Sequence, residues 1–204
     1  MANTNPIASL AQIRARLQMK AGFTADDAWL SQALLEVSRD VEGWAKWSLR
    51  RDTATEIHGE ERSYSILGLD KVHPIESVTS VKEAADRDFA SADALIEDED
   101  FVVYEDRNQL ARMGGVWVWG RKVIEVVYVG GYVTPDETPE AGQQVMPADL
   151  VGFVLDEAEL RYRQRGKAGM TSVSTEAGNA TFSPSEFDKR AMARIARHRK
   201  VTLL

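Results

Sequence analysis

A β-strand that ends at two glycines, followed by a helix that begins with proline, constrains the fold of this chain most. The strand runs Val123-Ile-Glu-Val-Val-Tyr-Val-Gly-Gly-Tyr132 and is rich in β-branched residues. A polar loop separates it from Met146-Pro-Ala-Asp-Leu150, where proline suits the first turn of a helix. We therefore expect the chain to pass from a sheet into a helix here.

Apolar residues recur at helical spacing on both sides of a middle region that is rich in strand patterns. The second helix is the clearest, because Leu30, Leu34, Val37, Val41 and Trp44 form one stripe. We predict a mainly α protein with a β-rich insertion (α+β), a helical bundle that carries a small antiparallel β module. It forms a single domain over residues 1–204, with helices over about 7–20, 25–48, 147–165 and 184–200 and the insertion over about 54–132.

Two hairpins are predicted inside the insertion. One joins Thr55–His58 to Arg62–Leu67, and the other joins Val116–Trp119 to the strand of Tyr128 across Gly120-Arg121. Both faces of Val116–Trp119 are apolar, which favours burial on both sides. Residues 166–179, rich in Gly, Ser and Thr, are predicted to form a loop.

Several short motifs occur here in one particular order. Val126–Tyr132 fits the pattern V-x-Y-x-x-G-Y, Pro147–Leu150 fits P-x-D-L, and an arginine-rich helix end follows at Tyr162–Gly166. Gly68–Val81 is similar to L-x-x-x-P-I-x-S-V-x-S-V. Over roughly residues 10 to 200 this order resembles the head-tail connector (adaptor) proteins of long-tailed bacteriophages.

The resemblance implies a structural protein of the virion neck. Such adaptors form a ring, usually twelvefold, beneath the portal protein, and they join the DNA-filled head to the stopper (head-completion) protein and the tail. Double-stranded DNA passes through the lumen without specific binding, and no cofactor is needed. The implied location is the head-tail junction of the virion, after synthesis in the host bacterial cytoplasm. The segment 82–99 departs from the family pattern, since it is longer and more acidic.

The charge distribution supports a binding role. The net charge of −7 argues against a protein whose main task is to grip DNA. Between Glu83 and Asp106 there are ten acidic residues and one basic residue, whereas Phe187–Leu204 holds six Lys or Arg and one acid. No apolar run is long enough to cross a membrane, and the chain lacks cysteine, which fits a reducing cytosol.

The sequence offers no catalytic constellation, so we predict that the protein is not an enzyme and has no metal site. His58 has Glu56 nearby but is expected to be a surface histidine of a hairpin. Glu97–Asp100 is the best cation candidate, yet it lacks the spacing of a calcium loop and suits a solvated turn better. A small metal-dependent hydrolase using those acids, and another neck component such as a stopper or tail completion protein, are the alternatives.

Two sets of residues are candidates for protein contacts. Cations of the last helix share one face at i, i+4 and i+7 spacing and could dock on an acidic portal surface, or simply be a solvated helix end. The predicted docking residues are Arg190, Arg194, Arg197 and Lys200. Tryptophans off the helical stripe or on the two-sided strand are candidates for the ring interface: Trp29, Trp47, Trp117 and Trp119.

Overall fold

The chain divides into two compact units. The computed structural model describes residues 4–59, 64–165, 172–175, 178–181, 193 and 195–200. The first unit, here the β unit, comprises Met1–Asn5 and Lys46–Met146. The second, here the helical unit, comprises Pro6–Ala45 and Pro147–Leu204. Most of the β unit is thus a sequence insertion within the helical unit.

The first helix of the helical unit, α1, spans Leu10–Arg16 and begins with a capping box. The amide N–H of Gln12 donates to Ser9 Oγ at 3.1 Å, and the Gln12 side chain accepts from the Ser9 amide at 2.8 Å. Gln18 takes a left-handed conformation with φ of 52° just after the helix. These two boundaries make α1 shorter than the predicted 7–20.

Helices α2 (Asp27–Ala45) and α3 (Ala148–Gln164) pack against each other and lie close to their predicted bounds. Each presents one apolar face, and each fully buried large side chain contributes about 1.5–3 kcal/mol. No helix among the described residues is long and apolar enough to cross a membrane. The apolar residues that α2 and α3 bury are Leu30, Ala33, Leu34, Val37, Val41, Ala45, Leu150, Phe153, Val154 and Ala158.

The C-terminal part of the chain differs from the predicted loop, whereas most of the predicted last helix lies outside the described residues. Strands β7 (Ser172–Thr175) and β8 (Gly178–Thr181) pair antiparallel where a loop was predicted. Of the predicted helix 184–200, only residues 193 and 195–200 are described: residues 193 and 195 are helical, and Ala196–His198 form a single 3₁₀ turn. The remainder of that helix prediction lies outside the described residues.

The β unit contains two three-stranded antiparallel sheets whose inner faces share one core. The first sheet has the order β1 (Asp52–His58), β6 (Ile124–Gly130), β3 (Ile75–Glu83). The second has the order β2 (Ile66–Gly68), β5 (Gln109–Arg112), β4 (Phe101–Tyr104). Val126 in β6 and Leu110 in β5 lie in this core together with Trp117, and all three are fully buried. The predicted β-rich insertion therefore folds as two facing sheets.

The strand pairing corrects both predicted hairpins. β1 pairs with β6, about 70 residues away, and not with β2, which belongs to the other sheet. Val116–Trp119 is not a strand at all and pairs with no neighbour as one. The α+β class is confirmed, but a mainly α composition is not, because strands are about as abundant as helix.

The tyrosine of the strand-end motif is explained by a buried carboxylate. Tyr128 OH donates to Glu56 Oε1 at 2.6 Å, and the amides of Asp70 and Lys71 donate to the same oxygen at 2.9 and 2.7 Å. Glu56 Oε2 lies 2.9 Å from His58 Nε2. His58 is therefore a half-buried partner of Glu56, because residues two apart in a strand share a face. The prediction of a surface histidine is wrong.

The loop that precedes β3 is held by Asn108. This residue is buried and adopts a left-handed conformation with φ of 54°, which asparagine tolerates better than most residues. Its Oδ1 accepts from the Ile75 amide at 3.1 Å, and its Nδ2 donates to Val72 O at 2.7 Å. The Pro-Ile step of the sequence motif is thereby fixed at the start of β3.

Candidate interaction surfaces

Trp117 and Trp119 have opposite environments although they stand two residues apart. Trp117 is fully buried in the core of the β unit, and its Nε1 donates to Ser65 O at 3.1 Å. Its amide donates to Tyr64 O at 2.9 Å. Trp119 is 72% exposed. Strand alternation would place both rings on one face, so the irregular backbone here is what separates a core residue from a surface residue.

Trp29 and Trp47 each contact another aromatic ring within their own unit. Trp29 meets Tyr162 edge to face, with centroids 5.7 Å apart, and remains partly exposed. Tyr162 OH donates to Asp26 at 2.6 Å, which fixes that ring. Trp47 stacks on His73 with centroids 4.1 Å apart. Of the four predicted ring-interface tryptophans, Trp119 is by far the most exposed.

The described part of the basic C-terminal segment contacts other residues of the helical unit through ion pairs and a buried side chain. Arg197 Nη2 lies 2.9 Å from Asp149 Oδ2, in the first turn of α3, and His198 Nε2 lies 2.9 Å from the same oxygen. Burial would raise the pKa of Asp149, but its contacts with Arg197 and His198 lower it overall. Ile195 is fully buried. Arg197 is therefore already paired with a carboxylate, although its side chain is 70% exposed.

Of the other predicted docking residues, the structure describes only Lys200. The Lys200 amide donates to Ala45 O at 2.9 Å, at the end of α2. Arg190 and Arg194 lie outside the described residues. The predicted common face of these cations therefore stays a prediction.

The acids Glu97–Asp100 form a closed turn. Asp100 Oδ2 accepts from the Ile96 amide at 2.9 Å, and Asp100 Oδ1 lies 3.1 Å from Arg112 Nη1. The Ile96 amide and Arg112 together lower the pKa of Asp100. Within the described ranges, no group of three or more His, Asp or Glu side chains could hold a metal ion. Asp100 thus serves the turn itself, while Ile96, which the sequence analysis passed over, is 56% exposed.

No known protein-family model and no curated protein sequence matches the chain. Solved structures do resemble it. One chain in the neck of an empty GTA particle, computed with C6 symmetry, has a TM-score of 0.63 at 19% identity, over 97% of this chain and 92% of the other. A chain in the virion of a native gene transfer agent (GTA) particle gives 0.65 at 18% identity, over 100% and 95%. A third, in the neck of the native GTA particle computed with C12 symmetry, gives 0.63 at 17% identity, over 98% and 96%. At these identities the chain shares a fold with chains of the gene transfer agent particle along almost its whole length.

Proposed function

We propose that this chain is a structural adaptor of a phage-like virion neck. It forms a ring beneath the portal, joins the DNA-filled head to the stopper and tail, and lines the channel through which DNA passes. The observation that carries this proposal is the shared fold with chains from gene transfer agent particles, two of them in neck reconstructions. Its action is binding and assembly, with no catalytic step.

The ring is supported by the C6 and C12 symmetry with which the neck reconstructions were computed. Copies around such an axis repeat one contact many times, so weak contacts sum to a stable assembly. We propose Trp29 and Trp119 as direct contacts between copies. Trp47 and Trp117, which are stacked and buried within the β unit, act indirectly by holding the residues around them. An overall acidic protein suits a lumen through which DNA slides.

The function is tested on particles made without this protein. We expect DNA-filled heads that lack tails and leak DNA, and we expect purified protein added to such heads to restore tail joining. Cryo-electron microscopy of the restored neck should show a closed ring of copies beneath the portal. Single bound copies without rotational symmetry would contradict the ring, and normal tailed particles without the protein would contradict the neck role.

We also propose that the cationic residues Arg190, Arg194, Arg197 and Lys200 dock on an acidic portal surface. Each exposed contact contributes about 0.5 kcal/mol, but the contributions sum around a ring. The Arg197–Asp149 pair bears on how this is tested, because reversing Arg197 would also place two carboxylates together. Arg190 and Arg194 are therefore the better positions for charge reversal.

Reversing Arg190→Glu and Arg194→Glu together should block attachment to filled heads, and raising salt should weaken wild-type attachment in the same direction. Attachment is measured by co-sedimentation of the protein with heads, and folding by circular dichroism. Asp149→Asn is the matched control: it weakens the internal contact of Arg197 but leaves all docking cations in place, so attachment should persist. Normal attachment of the reversed variant would show that this segment is only a solvated end.

A further inference from the structure

The exposed Trp119 lies in a short turn with hydrogen bonds on both sides, here called the Trp119 tip (residues 118–122). The Val118 amide donates to Glu83 Oε1 at 2.8 Å, and the Val123 amide donates to His58 O at 2.9 Å. Gly59 approaches the tip so closely that a Cβ there would lie 2.1 Å from Gly120 O. Exposed Arg121 and Lys122 follow Trp119. An ordered tryptophan beside two cations has the composition of an interface hot spot.

A second patch has the opposite charge around one exposed apolar side chain. This patch, here called the acidic turn (residues 96–100), is closed by the Asp100 N–H···O bond to Ile96 at 2.8 Å. Because Asp100 is engaged with Arg112, the exposed carboxylates are those of Glu97, Asp98 and Glu99. They directly follow Ile96 in the chain, and Ile96 is 56% exposed. An apolar centre with a charged rim is again the composition of a protein contact.

Both patches lie near the end of β3. Glu83 Oε1 accepts from the Val118 amide of the tip, and Glu83 Oε2 lies 3.6 Å from Nη2 of Arg112, which also pairs with Asp100 of the turn. Lys82 in β3 pairs with Glu125 of β6 on one side and bridges to Ala94 on the other, so the chain leading into the acidic turn runs along the free edge of β3. The Trp119 tip lies beyond the ends of β6 and β1, beside Gly59. The tip and the turn are nevertheless distinct exposed patches of opposite charge on the β unit.

We propose that the Trp119 tip of one copy docks on the acidic turn of the next copy, with Trp119 against Ile96 and the two cations against the three carboxylates. This contact rests on the proposed ring and names its head-to-tail surfaces. Such a contact uses two different patches of the same chain, which is how a closed ring of identical subunits propagates. Asp86 and Asp88 lie near the tip, where Arg87 Nε donates to Arg121 O at 3.1 Å, and each accepts a hydrogen bond within its own loop.

Self-association of the pure protein tests the contact directly. Trp119→Ala should weaken association by about 30-fold, the scale of a hot-spot loss. Ile66→Ala is the matched control, since Ile66 in β2 is 52% exposed and lies outside both patches, and it should leave the association constant unchanged. Analytical ultracentrifugation measures both. A photo-reactive phenylalanine at position 119 should cross-link to residues 96–99 of another copy.

Charge exchange between two variants tests the pairing of the patches. A tip-reversed variant (Arg121→Glu with Lys122→Glu) and a turn-reversed variant (Glu97→Lys with Glu99→Lys) should each associate at least about tenfold more weakly, because like charges then meet. Mixed in equal amounts, they should associate again, alternating around the ring. Lys20→Glu, an exposed reversal in the helical unit, controls for net charge.

The outcomes separate this contact from the proposed function. Reversed variants that associate as the wild type does, or a mixture without recovery, would overturn the tip-to-turn contact while leaving the ring to stand on other surfaces. A wild-type protein that stays monomeric at its highest soluble concentration would also overturn it, and the ring on filled heads would then be judged separately by microscopy. Recovery only in the mixture, together with the cross-link, supports the contact.

Discussion

Glu56→Gln should destabilise the chain by about 3 kcal/mol, because it replaces a buried, fully hydrogen-bonded carboxylate by an amide that can accept at only one oxygen. Glu56 is 4% exposed. The amides of Asp70 and Lys71 and the hydroxyl of Tyr128 all donate to it. The side-chain NH₂ group of the glutamine would either face these hydrogen-bond donors or be left without an acceptor. Denaturant unfolding monitored by tryptophan fluorescence measures the loss.

The same carboxylate makes the unfolding free energy depend on pH in the acid range. Burial alone would raise the pKa of Glu56, but its contacts with His58, Tyr128 and the Lys71 and Asp70 amides lower it from 4.5 to about 2. A carboxyl group with a lowered pKa stabilises the fold above its ordinary pKa and loses that effect as pH falls. We therefore expect unfolding free energy to drop between about pH 4.5 and about pH 2, and Glu56→Gln to flatten this dependence.

Glu125→Gln is the matched control for Glu56. Glu125 lies in β6, on the outer face of the same sheet, where it is only half-buried. Its replacement should change the unfolding free energy by less than about 0.5 kcal/mol. Equal losses for the two variants, or an unchanged acid dependence in Glu56→Gln, would show that the buried hydrogen bonds do not determine stability here.

Gly131→Ala should also cost about 3 kcal/mol or more, since two independent penalties meet at this residue. Its φ of +91° disfavours any side chain by about 1 kcal/mol. In addition, a Cβ would lie 2.5 Å from Arg50 O and 2.8 Å from the Arg51 nitrogen, both backbone atoms that cannot turn away. Strand ends that approach so closely would have to separate. Thermal and denaturant unfolding of the purified variant measure the effect.

Gly142→Ala separates the two penalties. Gly142 has nearly the same φ, +89°, but nothing lies within 4 Å of its Cβ position. It should therefore cost only about 1 kcal/mol, the conformational part alone. If both variants lost the same free energy, the close approach of Gly131 to Arg50 would contribute nothing, and the glycine of the strand-end motif would be explained by its φ only.

Local patterns in the sequence predicted α1, α2 and α3 and the strands β1, β3, β4 and β6, but not β5, β7 or β8. Leu30, Leu34, Val37 and Val41 of the α2 stripe are buried as expected, Trp44 is half-buried, and Ile124–Gly130 is a strand. Pairing was not predictable in the same way. β1 pairs with β6, about 70 residues away, where Tyr128 OH donates to Glu56, and such long-range contacts leave no local pattern in the sequence.

The candidate contact residues show a second limit of the sequence. Trp117 and Trp119 follow the same pattern, and only the buried indole of Trp117, bound to Ser65, distinguishes them. Asn108 gave a weak signal that was missed, since a lone asparagine between polar residues is typical of a left-handed turn. Ile96 directly precedes four acidic residues, and this acidic run suggested a cation site and not an exposed apolar contact.

The insertion of the β unit between α2 and α3 has a consequence for how the helical unit forms. These helices pack together but are separated by about 100 residues of chain. In an unfolded chain, closing so long a loop is entropically unfavourable, and such non-local contacts form slowly. Once the insertion has folded, its structure fixes the distance between its two ends. Helices α2 and α3 then have less conformational space to sample before they meet. During synthesis on the ribosome, α2 therefore emerges well before its partner helix, and the β unit has time to fold in the interval.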